Sequence, residues 1–398
     1  MSVKRQGEFF MNDKKNILIL ILMIGVFGIL NTEMGFIGIL PYISENYQVT
    51  IVQAGLLISL FATGVAIAGP TMPLIFSRYN RKKVMLFVLG LFTICNTISI
   101  FATDFNLLLA VRVLPAFFHP VYCSMAFTVA SIIAGERNAP KAVAKINVGV
   151  SAGMVVGVPI SNFLAENISL QASMTFFALV TLLAFIATLI FVPSMPVREI
   201  LSYGSQLKIL KKPIVWTSIV AIIFLNGSIF SVFNYLADYL SSVANFAPTM
   251  VSILLFVYGI CNIFGSLIAG KLLTIIPSGT VKLFPFFVAA IYFSMFNSSS
   301  SIIFAILIIL WGLLGGINAN INQFWMAKTA PQAPDFANGL FLTAANLGVT
   351  IGTPFSGIFI DNFGMNFVIF GGIIFAAIAA VIVWTQFFKQ NLNPLQNI

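Results

Sequence analysis

The chain has 398 residues, of which 59% are apolar and 8% charged, and its mean hydropathy is +1.03. A soluble domain carries about 25% charged residues, so this composition excludes a water-soluble protein with an ordinary surface. The formal net charge is +9 with a single histidine, which excludes multi-histidine metal sites.

A membrane helix needs about 20 apolar residues. That window places twelve spans at 17–43, 50–76, 84–102, 105–133, 142–164, 173–192, 214–240, 249–275, 281–297, 300–327, 336–360 and 366–388. The expected fold class is therefore an all-α membrane protein of twelve transmembrane helices. The basic start MSVKRQGEFFMNDKKN precedes an apolar run too long for a signal-peptide core of roughly 7–15 residues. It is read as a retained first span, with Met11 as an alternative start.

Span 1 holds GILNTEMGFIGILPY (28–42), with Asn31, Thr32 and Glu33 in an otherwise apolar run. A charged side chain in the bilayer interior costs about 2.5–3.5 kcal/mol on insertion scales and is commonly functional. Glu33 falls about 24 Å from the inner end of the span, at 1.5 Å per residue. Desolvation and a nearby cation act oppositely on a carboxylate, so Glu33 is a candidate proton carrier. The alternative is a structural, hydrogen-bonded acid.

Span 2 contains Gly64 and Gly69, and span 8 repeats that spacing with Gly265 and Gly270. The basic turn FSRYNRKKVML follows span 2. Span 4 carries Arg112 and, seven residues on, His119. Pro115 and Pro120 are expected to bend this span near His119. Phe117, Phe118 and Tyr122 are candidates for an aromatic cavity wall. Span 5 reads GVSAGMVVGVPISNFLAE; Gly149, Gly153 and Gly157 share a helix face that admits a close neighbour, and Pro159 permits a bend. We expect Gly153 and Gly157 to press against a helix of the other half.

The one long connection, 193–213, separates an N-terminal six-helix bundle (1–192) from a C-terminal one (214–398). Span 7 places Ser231, Asn234 and Asp238 on one stripe, with Tyr235 beside it. Span 10 carries Trp311, Gly315, Asn318 and Asn322 on one stripe, and Asn320 and Gln323 on another. Span 11 aligns Thr343, Asn346, Thr350 and Thr353. Lipid cannot satisfy such groups, so they either join helices or line a pathway. Asn31, Phe118, Tyr122, Asn234, Tyr235, Trp311, Asn318, Asn322 and Asn346 are the candidate cavity residues.

With the N-terminus in the cytoplasm, every loop-borne Lys and Arg falls inside, as basic residues do in membrane proteins. Both termini and the 193–213 loop are then cytoplasmic. The net charge is thus a topology signal, and no nucleic-acid partner is expected. Cys95, Cys123 and Cys261 have no metal-like spacing and read as structural filler. No enzyme signature or cofactor motif is present, and no phosphate-cradling loop supports ATP drive.

These motifs together resemble the major facilitator superfamily, in its twelve-span drug:proton antiporter-1 group. The family's loop motif Gly-x-x-x-Asp-Arg-x-Gly-Arg-Arg appears as Pro73-x-x-x-Ser77-Arg78-x-Asn80-Arg81-Lys82. Its span 4 arginine is Arg112, and its antiporter motif is Gly149, Gly153, Gly157 and Pro159. TEMGFIGILP, FNYLADYL and AANLGVTIGTPFSG are similar to a subgroup of sugar, purine-nucleoside and chloramphenicol exporters, where a histidine at the His119 position is common. The resemblance implies two pseudo-symmetric bundles around a central cavity. It implies proton-coupled efflux of a small organic solute by a monomer in the plasma (inner) membrane, with Glu33, Arg112 and His119 in proton coupling. Ser77, Arg78, Arg81 and Lys82 would form a cytoplasmic gate. Ser77 in place of Asp argues against a charge-pair latch there. Asn80 in place of Gly is expected to keep the turn by taking the left-handed conformation. The alternatives are a proton-coupled importer or facilitator on the same fold, or a non-transporting membrane sensor or scaffold. The last would need a larger soluble region than 193–213 or the tail.

Overall fold

A computed structural model describes residues 2–49, 51–197, 203–298 and 300–392. Part of the 193–213 connection lies outside the described residues, and so does the side chain of Asp238. Among the described residues the protein is helical throughout, with no strand. All twelve expected spans are present. Ten helices are long and apolar enough to cross a membrane. The other two spans are the second, Ile51–Ala68 followed by Met72–Phe76, and the eleventh, Pro334–Phe363. The eleventh combines its length with the Thr/Asn stripe noted above.

The chain divides into two compact units, Met1–Tyr203 and Gly204–Ile398. In the first, span 1 (Ser2–Asn46) packs on both parts of span 5, and span 3 (Arg81–Phe101) packs on span 6 (Leu170–Phe191). In the second, span 7 (Pro213–Phe233) packs on span 11 and on span 12 (Val368–Leu392), and span 8 (Pro248–Ile275) packs on span 10 (Ser301–Thr329). Span 9 (Pro277–Phe296) packs on span 12.

Spans 4, 5 and 7 are each interrupted near candidate residues. Span 4 divides into Phe105–Ala116 and His119–Ala134, with Phe117 and Phe118 between them. Pro115 and Pro120 flank the break, as expected of residues that remove a backbone donor and crowd the preceding turn. Span 5 runs as Ala139–Ala152, a π-helical turn at Gly153–Gly157, and Val158–Asn167. Pro159 cannot donate to the carbonyl of Val155, and the turn before it widens; π-turns of this kind recur at functional sites. Span 7 ends at Phe233 and restarts at Leu236. That break divides the expected Ser231–Asn234 stripe: Ser231 is fully buried and Asn234 exposed.

Candidate proton-coupling site

The first unit gathers Glu33, Arg112 and His119 from spans 1 and 4. Oε2 of Glu33 lies 3.0 Å from Nε2 of His119. The two side chains are 16% and 6% exposed. This is a charge-pairing distance; the carboxylate oxygen does not lie on the line of an aligned ring N–H donor. The sulfur of Cys123, one turn further along, lies 3.7 Å from the same ring nitrogen. His119 is the first residue after the break in span 4, so the broken helix brings its ring to Glu33 without a continuous face from Arg112.

Arg112 does not meet the acid as a carboxylate partner. Its two terminal nitrogens donate to the backbone carbonyls of Thr32 and Glu33, both at 2.7 Å. Its guanidinium carbon lies 4.1 Å from the Phe36 ring centroid and 4.3 Å from that of Phe61. Cation–π contacts count within about 6 Å, so the guanidinium sits between two aromatic faces. Phe61 also lies edge-on to His119, 6.1 Å between centroids. The hydroxyl of Thr32 donates to the carbonyl of Gly28 and accepts from Nδ2 of Asn96 at 3.0 Å. The same Nδ2 reaches Thr181 at 3.4 Å, so spans 1, 3 and 6 are tied beside the charged residues.

Asn31 is fully buried, and among the described residues its amide has no hydrogen-bond partner. An unmade hydrogen bond of this kind costs about 1–3 kcal/mol. It faces Gly157, where a Cβ would collide with the Asn31 oxygen. A Cβ at Gly153 would lie 2.7 Å from Leu30 Cβ, and one at Gly149 would press on the Met23 carbonyl. All three glycines therefore face span 1 of their own unit, where for Gly153 and Gly157 we expected a helix of the other half. The spacing marks a close approach, but it carries no information about which helix approaches.

Among the remaining first-unit candidates, Tyr122 is fully buried with its hydroxyl against Gly25. Phe118 stands edge-on to Phe76 and Phe87. The loop after span 2 is bound to the end of span 6. Asn80 Nδ2 donates to Ser194 Oγ at 2.8 Å, the Arg81 N–H to the Met195 carbonyl, and Lys82 Nζ to the Leu189 carbonyl at 2.9 Å. Ser77 is buried and donates to the Leu74 carbonyl. Arg78 lines a shallow cavity of about 350 Å³ with Phe76, Tyr79, Lys83 and Phe87. Asn80 has φ −55°, not the left-handed conformation expected of it. It caps the N-terminus of span 3 instead, its side chain accepting from the Lys83 N–H; asparagine is among the preferred residues for that role.

The candidate residues that the second unit gathers are neutral. Asn318 Nδ2 donates to Asn226 Oδ1 at 3.0 Å, and Asn226 Nδ2 to the Ala345 carbonyl at 2.7 Å. Asn322 is fully buried, with no partner for its amide among the described residues. Trp311 is fully buried among Phe233, Tyr258 and Tyr292. Asn234 Nδ2 donates to Thr353 Oγ1 at 2.7 Å, and the Tyr235 hydroxyl to the Thr353 carbonyl at 3.2 Å. Thr343, Asn346, Thr350 and Thr353 each donate to a carbonyl four residues back along span 11.

Comparison with known proteins now decides the family. The sequence profile of the Major Facilitator Superfamily matches residues 22–335 and 219–395. The chain belongs to the Major Facilitator Superfamily. This is a family of transporters, not of enzymes. The chain is 27% identical over 379 residues to the inner membrane transport protein YdhP of Escherichia coli K12, covering 95% of this chain and 97% of that one. It is 25% identical to a probable sugar efflux transporter of Helicobacter acinonychis, covering 86% and 88%. Among solved structures, the transporter FucP in its outward conformation aligns with TM-score 0.75 at 14% identity, over 92% of this chain and 97% of that chain. The human organic anion transporter MFSD10 aligns with TM-score 0.74, over 93% and 99%. The protein is thus a multi-pass membrane transporter of this fold.

Phe36, Phe61, Asn96 and Thr181 were not singled out from the sequence. Forty-one phenylalanines leave two of them without distinction. Asn96 carried a usable signal, as an amide in the middle of an apolar span.

Proposed function

We propose that the protein is a secondary active exporter that exchanges protons for a small organic solute, such as a drug, a nucleoside or a sugar, by alternating access. It works as a monomer in the plasma (inner) membrane with both termini in the cytoplasm. The observation that carries this reading is the 3.0 Å approach of Glu33 and His119 within a membrane bundle, beside Arg112. Two groups that each hold or release a proton attract one another in one protonation state and not in another. A ligand shifts a two-state equilibrium only through differential affinity, and a proton on Glu33 has such a preference because it removes the attraction to His119. The Arg112 charge is permanent and holds span 1 by its backbone, so it shapes the field without exchanging a proton. Relatives named as sugar efflux transporters support outward movement and a solute of that size.

The test is Glu33→Gln, which keeps size and removes titration. In proteoliposomes with an imposed pH gradient, the variant is expected to lose uphill transport and keep passive exchange of the same solute. Proton-driven efflux at the unaltered rate in a well-folded Gln variant would remove Glu33 as the carrier.

A further inference from the structure

We propose that Phe61 is a positioning residue of the coupling site: its ring holds the Arg112 guanidinium apart from the Glu33 carboxylate, leaving that carboxylate to exchange its proton beside His119. This rests on the coupling reading above and deepens it.

A permanent cation and an ionised acid on adjacent helices ordinarily form the shortest ion pair available, often bidentate. Here they do not. Arg112 reaches the backbone carbonyl of Glu33, and the carboxylate is at His119. Two aromatic faces take up the guanidinium, and one of them also lies against His119. Phe36 stacks on Phe177 with centroids 5.4 Å apart, which makes it part of the apolar packing between spans 1 and 6. Phe61, from span 2, contacts the guanidinium with its face and also lies against the His119 ring. It is 1% exposed. Its ring is thus the shared wall between a fixed charge and a titrating one.

The other groups at the pair are few. Cys123 reaches His119 from the same helix, and the Tyr122 hydroxyl is turned to Gly25. Spans 3 and 6 bring the neutral Asn96 and Thr181, which join Thr32. Span 5 brings glycines against Leu30 and Asn31. Apart from His119 itself, Arg112 is therefore the cation at this acid, and Phe61 is the ring that touches both of them. Without the ring face, the guanidinium gains freedom to swing to the carboxylate, which would then hold its proton less tightly.

The experiment reads the infrared carbonyl band of a protonated carboxyl group in purified, lipid-reconstituted protein as a function of pH, with Glu33 assigned by the band lost in Glu33→Gln. No transported solute is needed. In Phe61→Leu the Glu33 midpoint is expected to move to lower pH by about one unit, a tenfold loss of proton affinity. Phe61→Tyr keeps the aromatic face and the original midpoint. Phe36→Leu moves it by less than half as much. If Phe61→Leu does not fold, Phe61→Met supplies the same loss of the ring. An unchanged midpoint in Phe61→Leu or Phe61→Met overturns the proposal, and so does an equal shift in Phe36→Leu, which would make the effect one of general packing. If no band is lost in Glu33→Gln at any pH, the coupling reading itself fails, an outcome distinct from a titrating band that ignores Phe61.

Discussion

The two units share a packing skeleton and differ in what it holds. In the first, the span 2 glycine Gly64 meets Ala116 of span 4; in the second, Gly265 of span 8 meets the Leu313 backbone of span 10. Span 5 presents Gly149, Gly153 and Gly157 to span 1, and span 11 presents Gly348 and Gly352 to Ile223, Asn226 and Gly227 of span 7. Close helix contacts thus recur six spans apart, as internal repeats in transporters do. The first unit gathers Glu33, Arg112 and His119 beside these contacts, and the second gathers Asn226, Asn318 and Asn322. Of the candidate residues, the titratable ones gather in the first unit and most of the neutral amides in the second. A neutral amide cannot report the pH, so under the proposed function the first unit would carry the proton and the second would contact the solute.

The largest expected effect breaks that division on the charged side. Arg112→Ala is expected to abolish proton-driven transport, and Arg112→Lys to retain part of it, since an ammonium lacks the planar fork that reaches two carbonyls and lies flat between two rings. Asn226→Leu, on the neutral side, should alter the solute KM while leaving the pH profile where it was. Measuring both quantities in both sets checks the comparison; a shifted pH profile in Asn226→Leu would end it.

A second experiment tests whether the shared skeleton is equally tight. Gly153→Leu and Gly348→Leu both insert a side chain against another helix, and overpacking costs about 1–3 kcal/mol or more. Comparable losses of thermal stability in detergent are expected, with transport lost in both. If Gly153→Leu is tolerated and Gly348→Leu is not, the widened π-turn absorbs what the regular span 11 cannot.

The smallest effect concerns helix starts. Span 3 begins at an Asn80 side-chain cap, whereas its counterpart, span 9, begins at Ile276 and Pro277 with no side-chain cap. Asn80→Ala should cost about 0.5–2 kcal/mol of stability, read as a lower melting temperature with coupling unchanged. Asn80 also holds Ser194, so the loss should fall toward the upper end of that range.

Much of the fold was legible because the bilayer constrains it so strongly. The apolar runs marked every span, and two prolines around Phe117 and Phe118 marked the break in span 4. The break at Asn234 and Tyr235 had no such mark: neither residue is proline or glycine, and the turn is held from outside by Thr353. Glu33 and His119 stood out as rare types in apolar surroundings, and the structure brings them together. Their setting did not stand out. Phe61 is one phenylalanine among many until Arg112 lies on it, and Gly153 looks the same in sequence whichever helix it meets. The left-handed turn expected of Asn80 failed for a related reason: asparagine suits both a turn and a helix cap, and here the start of span 3 needed the cap.

Arg112 is anchored to carbonyl oxygens that every amino acid possesses. Its hold on span 1 is therefore indifferent to the side chains at positions 32 and 33. Evolution can replace the acid without releasing the arginine, and the bundle will still assemble around the same clasp. Under the coupling role proposed for Glu33, descendants that lose the acid by drift would keep the architecture and could become passive carriers in a single step. Reversion would be just as short, because no compensating change at Arg112 would have been needed in the meantime.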